Sequence, residues 1–205
     1  MRRPPRDSRA LARARSAAML AAIFLIPAVV NPTIARAADL EEAVLDEVNY
    51  VRARPAEYAR ELRHAPDWAF EQEEAGAVEE AIDFLERQPP LAPLRGDPRL
   101  DAAARVHAQA QGARGDVGHG AAGSLGGRLR TAGIFAGLCA ENISYGSDDA
   151  RAIVRQLVID SRVAGRGHRR NIFSSGYSAA GVACGAHRQW GSMCVIDFAG
   201  AIVQR

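Results

Sequence analysis

The chain of 205 residues has no lysine; all 26 of its basic side chains are arginine. With its many alanines this reflects coding bias, so arginine number alone does not point to nucleic acid. No serine stands in a G-x-S-x-G elbow. Ser124, Ser161 and Ser174 all lack it, which removes the usual strand–turn–helix nucleophile. A P-loop, a dinucleotide fingerprint and tandem C-x-x-C pairs are absent too, which argues against nucleotide chemistry and cysteine-caged zinc. There is no internal repeat and no low-complexity block. The longest apolar run, AMLAAIFLIPAVV, is too short, and interrupted by proline, to span a bilayer as a mature helix. What remains is ordinary for a soluble globular protein: 48% apolar and 24% charged residues, in a length that suits one domain.

That apolar run follows a basic stretch, MRRPPRDSRALARARSAA, and precedes Ala-Arg-Ala at 35–37. The order of basic, apolar and small-residue regions is that of a secretory signal peptide. It is expected to span residues 1–37, with cleavage near Ala37; the alternative is an uncleaved N-terminal anchor. Residues 38–205 then form one domain. Without the leader the chain carries 19 basic and 23 acidic side chains, net −4 with histidine neutral, so the +2 of the full chain belongs to the leader. An acidic domain argues against electrostatic capture of nucleic acid or anionic lipid. The mature protein is expected to be secreted or held at the cell envelope, with no integral membrane span.

Three cysteines would then meet an oxidising setting. GVACGAHRQWGSMCVIDFAG reads as two strands joined by a short turn near residues 188–191. Alternation puts Cys184 beside Val182, and Cys194 with Ile196 and Phe198. Folding the hairpin brings Cys184 opposite or nearly opposite Cys194, which predicts a Cys184–Cys194 disulfide with Cys139 left over. Three buried thiols are the alternative, because connectivity does not follow from sequence alone. Asp197, on the other alternation, is expected to be solvated or bonded to a loop. His187 is read as a surface or turn residue, and Trp190 as packing over the hairpin.

Upstream, residues 39–63 carry Leu40, Val44, Val48 and Val51 at helical spacing, with Pro55 breaking or restarting the helix. Residues 71–88 predict a second, acidic amphipathic helix. Residues 97–113 predict another, with Asp97 as N-cap and Pro98 in the first turn. His107 falls on its apolar stripe and is read as a packed, hydrogen-bonded core histidine. Glycine-rich turns occupy 114–136, and a helix covers 149–162 before a glycine-rich turn delivers His168. Helices first and antiparallel strands last argue for an α+β class.

The order of motifs adds a second line of reasoning. LAPLRGDPRLDAAA is followed by GHG with SLGGRL, then AENISYG, then GHRRNIF, then GVACG and a closing strand. This set, across about residues 44–200, resembles the CAP superfamily (cysteine-rich secretory proteins, antigen 5, pathogenesis-related 1) in its bacterial SCP-like branch. The resemblance implies an α-β-α sandwich with a central antiparallel sheet and a cleft holding two histidines and two acidic residues. Matched motif by motif, His119 corresponds to the first cleft histidine, Glu141 to the glutamate of G-E-N-I, and His168 to the second histidine. The family's Trp-x-x-Glu is replaced by Leu157-Val158-Ile159-Asp160, so Asp160 either keeps the acidic position with a shorter reach or caps its helix.

Neutral imidazoles with a carboxylate suit Zn²⁺, which makes His119 and His168 candidate metal ligands; the same groups could serve as an acid–base set without metal. Glu141 and Asn142 could instead be staples that satisfy loop backbone. Of Arg169 and Arg170, one is expected to support the loop and the other to be solvated. Cys139 is a poor nucleophile candidate, since unpaired cysteines are commonly small buried hydrophobes. The functional expectation is a binding module for an apolar, lipid- or sterol-like, or cell-envelope ligand. A metal- or His/Glu-assisted hydrolase and an interaction domain with a vestigial cleft are the alternatives.

Overall fold

The computed structural model describes residue 1 and residues 32–120 and 123–203. The expected leader falls largely outside them. Its expected cleavage point lies inside the first helix, α1 (Pro32–Ala53), which runs through residues 35–37 without a break. Pro55 restarts the chain as α2 (Pro55–His64). A 3₁₀ turn (Asp67–Phe70) and α3 (Ala77–Arg87) follow. The acidic helix is thus shorter than the expected 71–88. Gly76 takes φ +79° ahead of Ala77, a left-handed conformation that helix cannot continue through, so residues 71–76 are turn.

Strand β1 (Arg95–Gly96) leads into α4 (Pro98–Arg114), where the Asp97 side chain accepts from the Arg99 amide at 3.0 Å. Within the stretch read as turns lies a short helix, α5 (Leu125–Thr131), capped by Ser124. Then come β2 (Cys139–Tyr145), α6 (Ala150–Ile159), α7 (Gly167–Ile172), and the hairpin of β3 (Ala179–His187) and β4 (Gly191–Ala199). The sheet order is β1-β3-β4-β2. The three longer strands pair antiparallel, while the two-residue β1 runs parallel to β3, so the sheet is mixed at that edge.

Alternation sorts the sheet into two cores. Val182, Cys194, Ile196 and Phe198 pack with Val44, Val48 and Val51 of α1 and with Ile153, Val154 and Leu157 of α6. On the other face Ala183, Met193, Val195 and Ile143 meet Ala104 and Ala108 of α4. The result is a helix–sheet–helix sandwich. Small residues let α4 lie close: a Cβ at Gly181 would sit 2.3 Å from the backbone of Leu100 and Asp101, and one at Gly112 would sit 2.2 Å from the Ala186 carbonyl oxygen.

Because β1 is so short, β3 has amides without a strand partner. Carboxylates take them: Asp101 Oδ1 accepts from Val182 N at 2.9 Å, and Glu41 Oε1 from Cys184 N at 3.0 Å. This closes an edge that would otherwise template aggregation. Arg52, 2% exposed, ties α1 to the chain on either side of the core by donating to the carbonyls of Ala92, Ile172 and Ser174. Cys184 and Cys194 are directly paired in register and joined as a disulfide, and Cys139 is free.

Candidate functional site

Glu141 lies on β2, the edge strand opposite β1, and its side chain is 2% exposed. Two basic side chains reach it. Arg128 of α5 donates to one oxygen, and His119 Nδ1 meets the other at 2.8 Å. Burial pushes the Glu141 carboxyl up, but the hydrogen bond from His119 and the charge of Arg128 outweigh it and hold the group below its ordinary value. The same hydrogen bond raises His119, against the opposing effect of burial. The His119 side chain remains 59% exposed, and no partner engages its Nε2 among the described residues. The pair is therefore a buried carboxylate presenting an accessible imidazole.

The loop that carries His119 is clamped from below. Gly118, at φ +91°, gives its carbonyl to Gln111 Nε2 at 2.5 Å and to His107 Nε2 at 3.1 Å, and its amide donates to the Tyr145 hydroxyl at 2.9 Å. The Tyr145 hydroxyl donates in turn to Gln111 Oε1 at 2.7 Å. His107 is fully buried and bonded, as its place on the α4 stripe implied, and burial lowers its pKa. His187 is neither a turn nor a surface residue: it ends β3 and is 2% exposed. Its Nε2 bonds the Asp116 carbonyl at 2.8 Å, while Nδ1 accepts from the amides of Gln189 and Trp190. Position beside the turn hid this burial, because the 116–119 loop folds over the hairpin end. Trp190 itself is 50% exposed rather than packed.

A second pair forms beyond α6. Asp160 ends that helix at φ +54°, a conformation that aspartate tolerates better than most residues. Its Oδ1 meets His168 Nδ1 at 2.8 Å, while Oδ2 accepts from the amides of His168 at 2.9 Å and Arg169 at 3.4 Å. Asp160 therefore pairs with His168 and, from the end of α6, takes up the first amides of the next helix, α7, rather than capping its own. His168 is 20% exposed at the side chain. Arg169 is buried and donates to the carbonyls of Val158 and Ile159, whereas Arg170 is exposed and bonds the Gly165 carbonyl.

Strand β2 links the pairs. Asn142, next to Glu141 and pointing to the opposite face, donates to the His168 carbonyl at 3.0 Å and accepts from Asn171 at 2.8 Å. Glu141 thus holds one histidine by its side chain, and Asn142 holds the backbone of the other. Asn142 is the loop staple anticipated for both; Glu141 is not, since its partners are side chains.

Asp197 overturns its sequence reading. It is fully buried and neither carboxylate oxygen accepts a hydrogen bond from the described residues. It stands directly opposite Glu141 in the β2–β4 register. Burial, reinforced by the Glu141 charge and by a hydrogen bond that the protonated acid gives to Glu141, pushes it up to about 8. The alternation was read correctly, but the face assumed to meet solvent is covered by α4. An acid inside the otherwise apolar run MCVIDFA was the available signal, because such a run marks a strand buried on both sides.

The chemistry of the set is limited. Each imidazole commits Nδ1 to a carboxylate and leaves Nε2 free, the orientation seen in metal-binding histidines. Yet no three His, Cys, Asp or Glu side chains converge to hold an ion among the described residues. Nor does an activated nucleophile stand by among the described residues: the Ser161 hydroxyl donates to Glu73 Oε2 at 2.5 Å, and burial pushes the Cys139 thiol up. Cavities of about 470, 480 and 320 Å³ lie at residues 161–166, between α2 and α3, and beside α5. His119, Glu141 and His168 line none of the three.

Residues 45–198 match the profile of the cysteine-rich secretory protein family, CAP. The chain belongs to the CAP family. Its fold, with helices on both faces of a mainly antiparallel sheet, is that expected of the family. Similar solved structures include an extracellular protein containing an SCP domain from Bacillus anthracis, at 21% identity and TM-score 0.45 over 67% of this chain and 44% of that one. Another is a cysteine-rich secretory protein from Staphylococcus aureus, at 15% identity and TM-score 0.44 over 85% and 40%. This CAP chain spans less than half the length of either. No curated protein matches it. No helix among the described residues is long and apolar enough to cross a membrane.

Proposed function

We propose that this CAP domain is an exported ligand-binding module, which takes an apolar, lipid- or sterol-like, or cell-envelope ligand against His119 and His168. One observation carries the reading. Both histidines spend Nδ1 on a carboxylate and keep Nε2 free, and no activated nucleophile accompanies either among the described residues. Such imidazoles are fixed hydrogen-bonding edges, suited to orienting a polar group of a ligand. Glu141 and Asn142, successive residues of the edge strand, hold His119 by its ring and His168 by its carbonyl, and the ligand is proposed to lie around that edge. Export follows from the leader, which reads as a signal peptide.

The test is to purify the protein from an exporting host, extract it with organic solvent and identify bound molecules by mass spectrometry. The wild type should carry an amphiphile that is missing from His119→Ala and His168→Ala, with circular dichroism unchanged. Hydrolysis of peptide or envelope substrates by the wild type, lost in both variants, would overturn the binding reading in favour of an enzyme. Unchanged ligand loading in both variants would leave the two pairs a structural role only.

A further inference from the structure

Away from the histidine pairs, α2, the 3₁₀ turn and α3 enclose a groove of about 480 Å³. Its floor is apolar, built from Leu62, Phe70, Val78 and Ile82. Its rim is acidic: Asp67, Glu74, Glu79 and Asp83 all line it and all are exposed. Arg63 is the one basic residue in the lining; it is paired with Glu86, and its charge also reaches Asp83. Beside the groove the 3₁₀ turn holds Trp68, at 69% among the most exposed large apolar side chains of the protein.

The rim charges are arranged at a cost. Glu79 and Asp83 are four residues apart on α3, the spacing at which like charges on a helix repel. Glu79 gains from the helix N-terminus, but Asp83, further along, does not. A cation placed between them would relieve that repulsion, and an apolar side chain beside the cation would cover Phe70 and Val78. An apolar floor inside a charged rim, with an aromatic at its edge, is the layout of a protein-binding patch.

We infer that this groove docks a cationic amphipathic segment of a partner protein, with its apolar face on the floor and its Lys or Arg side chains on Glu79 and Asp83. The inference is independent of the ligand assigned to His119 and His168.

The probe is a synthetic helical peptide of leucine and lysine, with its leucine–glutamate counterpart as control. Binding is read by Trp68 fluorescence in a Trp190→Phe background. The lysine peptide should bind and the glutamate peptide should not, with affinity falling as salt rises. Glu79→Lys or Asp83→Lys should weaken binding by at least about tenfold, because a rim charge reversed against the partner repels it. Glu42 and Asp46 of α1 are a matched control: two exposed acids four apart, away from the groove. Reversing them should change affinity by less than about twofold if binding is local. Equal losses from both pairs of reversals would show mere attraction to an acidic protein and overturn the inference. So would equal binding of the two peptides, or no binding at all.

Discussion

Replacing Asp197 with asparagine should stabilise the protein, and by more as pH rises. The carboxyl is fully buried, accepts no hydrogen bond from the described residues and stands opposite Glu141, and its pKa is pushed up to about 8. Unfolded, the same group titrates near 3.8. Between these values the folded chain holds a proton that the unfolded chain releases, so wild-type stability falls as pH rises from about 4 to about 8. At 1.36 kcal/mol per pH unit the cost is about 4 kcal/mol at pH 7. Asparagine keeps the shape of the protonated acid and cannot ionise. The stability difference between Asp197→Asn and the wild type should therefore grow by about 4 kcal/mol between pH 5 and pH 9. Urea unfolding at a series of pH values measures it, with matched m-values confirming that the same transition is compared. Parallel stability curves for the two proteins, or a variant weaker than the wild type at pH 8, would refute the placement of a neutral Asp197 in the core.

Other consequences follow from the same contacts. Arg52→Ala takes the donor from the buried Ile172 carbonyl and from the part-buried carbonyls of Ala92 and Ser174, and should cost about 2–3 kcal/mol in chemical denaturation. Cys184→Ser with Cys194→Ser opens a cross-link over a sequence separation of 10, and should lower stability by about 2–3 kcal/mol. The His119 imidazole, followed by NMR, should titrate above its ordinary value and return towards it in Glu141→Gln, because the hydrogen bond to that carboxylate raises it. Since the His119 pKa is raised in the folded state, its share of the pair's stabilisation is present at lower pH and fades as pH rises through the folded value, whereas the share from Glu141, whose pKa is lowered, is lost as pH falls through its own folded value. Tyr145→Phe removes the hydroxyl that joins Gly118 to Gln111; it should cost about 1 kcal/mol and accelerate amide exchange at Gly118.

Much of the fold was legible because local physics and burial agree. The α4 cap at Asp97, the proline restart at 55 and the hairpin with its disulfide follow from capping, from a missing amide and from alternation. The acidic helix was overextended because charge says nothing about the left-handed turn at Gly76. Strand β2 was not read from residue pattern at all. It is an edge strand whose polar residues Glu141, Asn142 and Ser144 are buried by partners far away in sequence. The site shows the same division. His119, Glu141, His168 and Asp160 were marked by motif order, which fixes positions without saying which acid meets which histidine. Arg128, Asp197 and the clamp of His107, Gln111, Tyr145 and His187 depend on which helix covers which sheet face, and short-range spacing carries no such information.

The central claim is that His119 and His168 serve one ligand. The most direct measurement follows the ring resonances of both during titration with a cell-envelope lipid extract. The two imidazoles should respond together, with the same midpoint. Movement of one without the other, or of neither, would contradict it.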